Sequence, residues 1–126
     1  MPSTVTFYKD RSGKFRAVRF FGHARRVTEE DATSLRGLQV CAALSALSQF
    51  AEALGEESDA GCRLHISKKK PLRAVEWLDC ESMQAAASAL FNVLRSIAAT
   101  DHGKYVIVYI TDYGENFAND IYEEER

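Results

Sequence analysis

Two stretches with helical periodicity, each following a pair of strand-like segments, constrain the fold of this 126-residue chain most strongly. From about Gln39 to Leu54, and again from about Ser82 to Ala99, apolar residues recur at steps of three and four. Such spacing gives each helix one apolar face. The two stripes are Val40, Leu44, Leu47, Ala51 and Leu54 in the first helix, and Met83, Ala87, Leu90, Leu94 and Ile97 in the second.

Five segments around these helices have the pattern of β-strands. Residues from Thr4 to Tyr8 alternate between polar and apolar, and those from Phe15 to Phe21 return after a polar turn, which predicts an N-terminal hairpin. A second pair is predicted at Cys62 to Ile66 and at Arg73 to Leu78. Residues from Tyr105 to Thr111 are almost continuously apolar, as in a well-covered strand.

The element order is therefore β-β-α-β-β-α-β, which predicts an α/β protein of the α+β type. Five short strands in one sheet, with both helices packed on one face, bury the apolar stripes as a two-layer sandwich. Strand order does not follow from the sequence. The chain fits a single domain spanning 1–126. From about residue 112 it becomes polar, which predicts a frayed C-terminal tail.

The overall charge narrows the classes of partner. A net charge of −2 is not that of a general nucleic-acid binder or of a membrane-surface protein. No apolar run is long enough to span a bilayer, and the first residues lack the pattern of a secretory signal. We therefore expect a cytoplasmic protein without membrane association. Three widely spaced cysteines suit reduced thiols in that compartment, and no cofactor or metal is predicted.

Two short strings carry the candidate chemistry: GHA at 22–24 and VCAALSAL at 40–47. Gly22 lets the second strand end sharply and presents His23 at its tip. Cys41 is predicted in the first turn of its helix, where unpaired N–H groups and the helix dipole favour a thiolate. His23 beside it would complete a thiol–imidazole pair, with the N–H of Ala42 at the oxyanion. Ser45 follows Cys41 by one turn on the same helix face.

Each of these residues also has a plain structural interpretation. A cysteine among alanines in a helix is commonly a small packed apolar residue, and a histidine at a strand end is commonly a surface residue. The hydroxyl of Ser45 is equally suited to a bond with the carbonyl four residues earlier. The two strings together favour the functional interpretation of Cys41 and His23.

The same two strings resemble the motifs of Prp, the ribosomal-processing cysteine protease of some bacteria. The resemblance implies His23 as base, Cys41 as nucleophile and Ser45 as the accompanying serine. This chain departs from the family at Leu38, where most relatives carry an aspartate, and in a longer stretch between the two motifs. The group that orients the base is therefore open: a backbone carbonyl, or one of the loop acids Glu29, Glu30 and Asp31.

As a member of such a family, the chain would be a cysteine endopeptidase that removes the N-terminal leader of a large-subunit ribosomal protein precursor. The resemblance also implies a homodimer. A second hypothesis is a catalytically weakened, ribosome-associated binding protein of the same fold. A third, a thiol hydrolase acting on small acyl compounds, depends on the Cys–His pair alone. Strong direct binding of nucleic acid is not expected.

The remaining chemistry-bearing residues favour structural roles. Strand alternation places Cys62 and His65 on opposite faces of a sheet, which argues against a shared metal site. Cys80 lies far downstream, so both further cysteines are predicted to be structural thiols. The run Lys68–Lys70 predicts an exposed turn, with contact to an anion as the alternative.

Overall fold

The computed structural model describes residues 2–22, 35–58, 61–67, 69–78 and 81–125, with the backbone alone for 122–125. Its elements follow the predicted order, with one additional helix at the end. In chain order they are β1 Ser3–Lys9, β2 Phe15–Phe21, α1 Leu35–Glu56, β3 Cys62–Ile66, β4 Leu72–Trp77, a short 3-10 turn Glu81–Met83, α2 Gln84–Thr100, β5 Val106–Asp112 and α3 Gly114–Glu125. The predicted α+β class is confirmed.

The five strands form one mixed sheet in the order β3-β4-β2-β1-β5. All neighbouring strands are antiparallel except β1 and β5, which are parallel. The end of β2 therefore lies between the starts of its two neighbours: Phe21 pairs with Thr4 of β1 and with Leu72 of β4. This arrangement brings three strand ends together at one end of the sheet.

Helices α1 and α2 pack on the same face of the sheet, as predicted. Both predicted helical stripes face this main core, some members fully buried and others partly so. The sheet contributes mainly Val5, Phe7, Val18, Val75 and Trp77. Because the register shifts between Tyr8 and Lys9, Phe15 joins Val18 on the helix side despite their odd spacing.

The C-terminal segment differs from the prediction of a frayed tail. Residues Gly114–Glu125 form α3, which packs on the opposite face of the sheet and buries Phe117 and Ile121 against Tyr8 and Ala74. Two apolar residues four positions apart are enough to make one narrow contact stripe. The otherwise polar composition of the segment conceals that stripe in the sequence. The predicted sheet with two helices on one face is confirmed, and the structure adds a third helix that covers part of the second face.

Polar contacts reinforce the docking of α3. The Tyr8 hydroxyl donates to Asp120 at 2.6 Å, and the Tyr113 hydroxyl donates to Glu76. Burial, and then the bond to Asp120, raise the pKa of Tyr8. Burial, and then Glu76, raise the pKa of Tyr113 in the same way. Both phenols thus stay protonated in the folded protein at pH values where a free tyrosine ionises.

Among the described residues, no helix combines the length and the hydropathy needed to cross a bilayer.

We expect the stability of the protein to fall above about pH 10 in a way that depends on Tyr8. A group whose pKa is raised by folding contributes stability. This contribution is complete below the pKa of the unfolded state and is lost as the pH rises from there through the pKa of the folded state. In urea unfolding between pH 8 and 11, the free energy of unfolding should fall above pH 10. The contribution of Tyr8 to this fall should approach about 1.4 kcal/mol per pH unit. At pH 8, Tyr8→Phe should be about 1 kcal/mol less stable than the wild type, because the hydrogen bond is missing. Between pH 8 and pH 11, however, its free energy of unfolding should fall by less than that of the wild type. Equal losses in the two proteins over that range would contradict the assignment.

Candidate active site

A cleft of about 540 Å³ lies where the three strand ends meet the middle of α1. The strand ends supply Ser3, Phe21 and Gly22 on one side. Cys41 and Ser45 of α1 lie on another side, and residues 70–73, at the start of β4, complete the lining. The cleft is thus formed by parts of the chain that are distant in sequence.

Gly22 shapes the strand side of the cleft. Its φ of +95° lies in the left-handed region, which residues with a Cβ rarely adopt. Its N–H donates to the carbonyl of Pro71 at 2.9 Å, which ties the end of β2 to the residue before β4. A Cβ at this position would lie 3.3 Å from Cα of Ser3. Glycine is therefore required here both by conformation and by space.

The helix side of the cleft follows from the spacing along α1. Cys41, Ser45 and Ser48 line it because residues four and seven apart share a helix face. Ser48 is buried, and its hydroxyl donates to the carbonyl of Ser45 at 2.8 Å. Cys41 is a free thiol, partly buried and packed against the main core. One thiol is thus held in the wall of the cleft by the packing of its own helix.

The position of Cys41 within its helix differs from the prediction. Helix α1 begins at Leu35, six residues before Cys41, and not at about Gln39. The unpaired N–H groups of the first turn therefore lie upstream of the cysteine. The N–H of Ala42 is directed to the carbonyl of Leu38 within the helix, so it is not free for an oxyanion. The predicted start was late because residues 35–38 add little to the apolar stripe.

The structure brings together three of the five residues that the sequence singled out. Gly22, Cys41 and Ser45 line the cleft, whereas Ala42 does not. His23 follows Gly22 in the chain and lies outside the described residues, as do Cys80 and the loop acids Glu29, Glu30 and Asp31. Leu38 is 43% exposed and is not a lining residue.

Sequence reasoning missed the wall formed by the start of β4. Lys70, Pro71 and Arg73 line the cleft because Leu72 pairs with Phe21, and that pairing has no local signal in the sequence. Arg73 also lies 3.8 Å from the carboxylate of Glu52 on α1. The helical spacing that places Ser45 on the face of Cys41 also places Ser48 there, two turns beyond the cysteine.

The predicted separation of Cys62 and His65 is confirmed. Cys62 packs on the main core, on the side of α1. The ring of His65 lies on the other face of the sheet, 5.5 Å from that of Phe117 and near Glu76. The two side chains cannot share a ligand because the sheet lies between them.

Comparison with solved structures identifies the fold. The S. aureus ribosomal processing protease Prp, crystallised with a substrate peptide, aligns with a TM-score of 0.69 at 16% identity, covering 86% of this chain and 99% of that one. Its complex with a covalently linked product peptide aligns with a TM-score of 0.66 at 15% identity and the same coverage. The protein SMU.848 of Streptococcus mutans gives 0.71 at 19% identity, covering 88% of this chain and 95% of the other. The fold is Prp-like.

No protein-family model and no curated protein sequence matches the chain. The similarity thus extends over nearly the whole length of these solved structures, at identities that show the fold alone.

We expect Gly22→Ala to destabilise the protein more than Gly13→Ala. Both glycines have a positive φ, but a Cβ on Gly13 would have nothing within 4 Å. The matched pair separates backbone strain, about 1 kcal/mol in each variant, from the contact with Ser3, which adds roughly 1–3 kcal/mol at Gly22 alone. Urea unfolding of the two variants measures the difference. Equal losses would show that the end of β2 is not held against β1 as described.

Proposed function

We propose that this protein is a cysteine endopeptidase that removes the N-terminal leader of a large-subunit ribosomal protein precursor. The single observation that carries the proposal is the free thiol of Cys41 in the wall of a cleft that Gly22, the first residue of the GHA motif, also lines. The Prp-like fold supports it, since solved structures with this fold contain a substrate or a product peptide.

In the proposed reaction, Sγ of Cys41 attacks the carbonyl carbon of the scissile peptide bond. His23 takes the thiol proton and then donates it to the nitrogen of the leaving amine, so that the C–N bond breaks and a thioester forms. Water, deprotonated by the same imidazole, then attacks the thioester and restores the free thiol. The chain position of His23, one residue beyond the cleft-lining Gly22, supports this role.

The remaining cleft residues are proposed to hold the peptide. Because the N–H of Ala42 is used within α1, a donor for the oxyanion must come from elsewhere. The Ser45 hydroxyl lies one turn from Cys41 on the same helix face and lines the cleft, which supports its assignment as a substrate contact. Gly22 lines the cleft at the end of β2, which supports its assignment as a contact for the peptide backbone.

A non-catalytic peptide-binding protein of the same fold is the second candidate. Two observations favour it: Leu38 stands where most relatives have an aspartate, and no first-turn N–H group lies at Cys41. Such a protein would bind the leader in the same cleft without cleaving it. Binding without turnover therefore separates the two candidates.

The proposed partner is the precursor itself, bound in the cytoplasm. The protein that binds it is proposed to be a homodimer of this chain. Tyr109 and Ile110 on the edge strand β5 are each about half exposed, on opposite faces of the sheet, so apolar side chains flank this edge where a second copy could bind. Light scattering that gives a monomer at all concentrations would contradict the dimer.

We expect the purified protein to cleave the leader-bearing precursor of its own organism, as followed by mass spectrometry. Cys41→Ala should lower the rate by more than about a thousandfold, because the nucleophile is removed. Cys62→Ala is the matched control: it removes a packed thiol outside the cleft and should keep its activity.

Persistence of intact precursor with the wild-type protein would refute the protease. If the precursor then still bound with the same affinity to wild type and to Cys41→Ala, the binding protein would be supported in its place.

A further inference from the structure

The walls of the Cys41 cleft carry positive charge. Of the described residues that line it, Lys70 and Arg73 are charged, and none is an aspartate or a glutamate. The other lining residues are apolar or carry hydroxyl, amide or thiol groups. The described walls of the cleft thus differ in sign from the chain as a whole, whose net charge is −2.

The two cations are not equivalent. Arg73 lies 3.8 Å from Glu52, which is not a lining residue, so its charge is partly balanced from outside the cleft. Lys70 is exposed, and no acidic residue in the described part of the chain forms an ion pair with it. Lys70 is therefore the cation of the described lining whose charge no described acid offsets.

A concave site with low-dielectric walls concentrates the field of its charges. The thiol of Cys41 lies in the same cleft as both cations, so any group that approaches it experiences that field. A carboxylate gains from the approach, whereas a lysine or arginine side chain is repelled.

We propose that the cleft selects a peptide segment bearing an acidic side chain near the scissile bond and disfavours a basic one, with Lys70 as the specificity-determining residue. This substrate class rests on the proposed function; the positive cleft itself does not. Glu52 sets the strength of the second cation, Arg73. The overall negative charge of the protein, taken alone, would suggest the opposite preference.

The charge of the cleft can be measured at Cys41 without a substrate. Iodoacetate and iodoacetamide alkylate the same thiol and differ mainly in charge. The ratio of their rates at Cys41, obtained by peptide mapping of the full-length protein at low salt, reports the local potential. N-acetylcysteine amide supplies the reference ratio for a free thiol.

We expect the ratio at Cys41 to exceed that of the reference. Lys70→Gln should lower it about two- to threefold, and Glu52→Gln should raise it because Arg73 is released. Lys69→Gln is the matched control: its charge lies in the same turn but outside the lining, so the change should be smaller. In 0.5 M KCl the differences should shrink. A ratio equal to the reference, or one that Lys70→Gln and Lys69→Gln change equally, would overturn the proposal.

Peptides derived from the leader, with Glu, Gln or Lys placed in turn beside the cleavage site, test the substrate class. The expected order of kcat/KM is Glu over Gln over Lys, with Lys70→Glu reversing it. Cleavage without any preference would overturn the specificity and leave the protease intact. Cleavage of none of the peptides, together with a shifted alkylation ratio, would refute the protease while supporting a cleft that selects anions.

Discussion

The seating of α1 on β4 is the contact on which the rest of the site depends. The indole N–H of Trp77, fully buried, donates to the carbonyl of Ala51 at 3.0 Å. One turn later, Gly55 lets the helix approach β3 so closely that a Cβ there would lie 2.5 Å from Cβ of Cys62. Because α1 is a continuous helix of 22 residues, anchoring its second half fixes where its first half lies. Cys41 is consequently positioned over the end of the sheet by contacts two to four turns away.

Much of this architecture follows from local patterns in the sequence, and the exceptions have physical reasons. The stripes of α1 and α2 and the alternation in the strands determined the element order and the helix-covered face. Strand order was not accessible, because the parallel pairing of β1 with β5 joins the two ends of the chain and leaves no short-range signal. The true start of α1 was missed because Leu35 is 72% exposed, so the first turn has little apolar contact to reveal it. Helix α3 was missed because, among its described side chains, only Phe117 and Ile121 are buried.

In the candidate site, too, residues positioned by local patterns were predicted, whereas residues positioned by strand pairing were not. Gly22, Cys41 and Ser45 were accessible because turn chemistry and helical spacing are local properties. The wall at Lys70 and Arg73 was not, since it reaches the cleft through the pairing of β2 with β4. This wall also changes the expected chemistry: a chain that is acidic overall has a cleft lined by cations among its described residues. Within a Prp-like fold, Lys70 and Arg73 thus give the described walls of this cleft a positive charge.

The central claim is that Cys41 is a nucleophile within a peptide-binding cleft, and peptide-directed alkylation tests it most directly. A chloromethyl ketone built on the leader sequence and plain chloroacetamide both alkylate thiols by displacing chloride, but only the first carries a peptide. We expect the ratio of the rate with the chloromethyl ketone to the rate with chloroacetamide to be at least about tenfold higher at Cys41 than at Cys62, which is 1.4 kcal/mol of barrier. The same ratio of rates at Cys41 and Cys62 would contradict it.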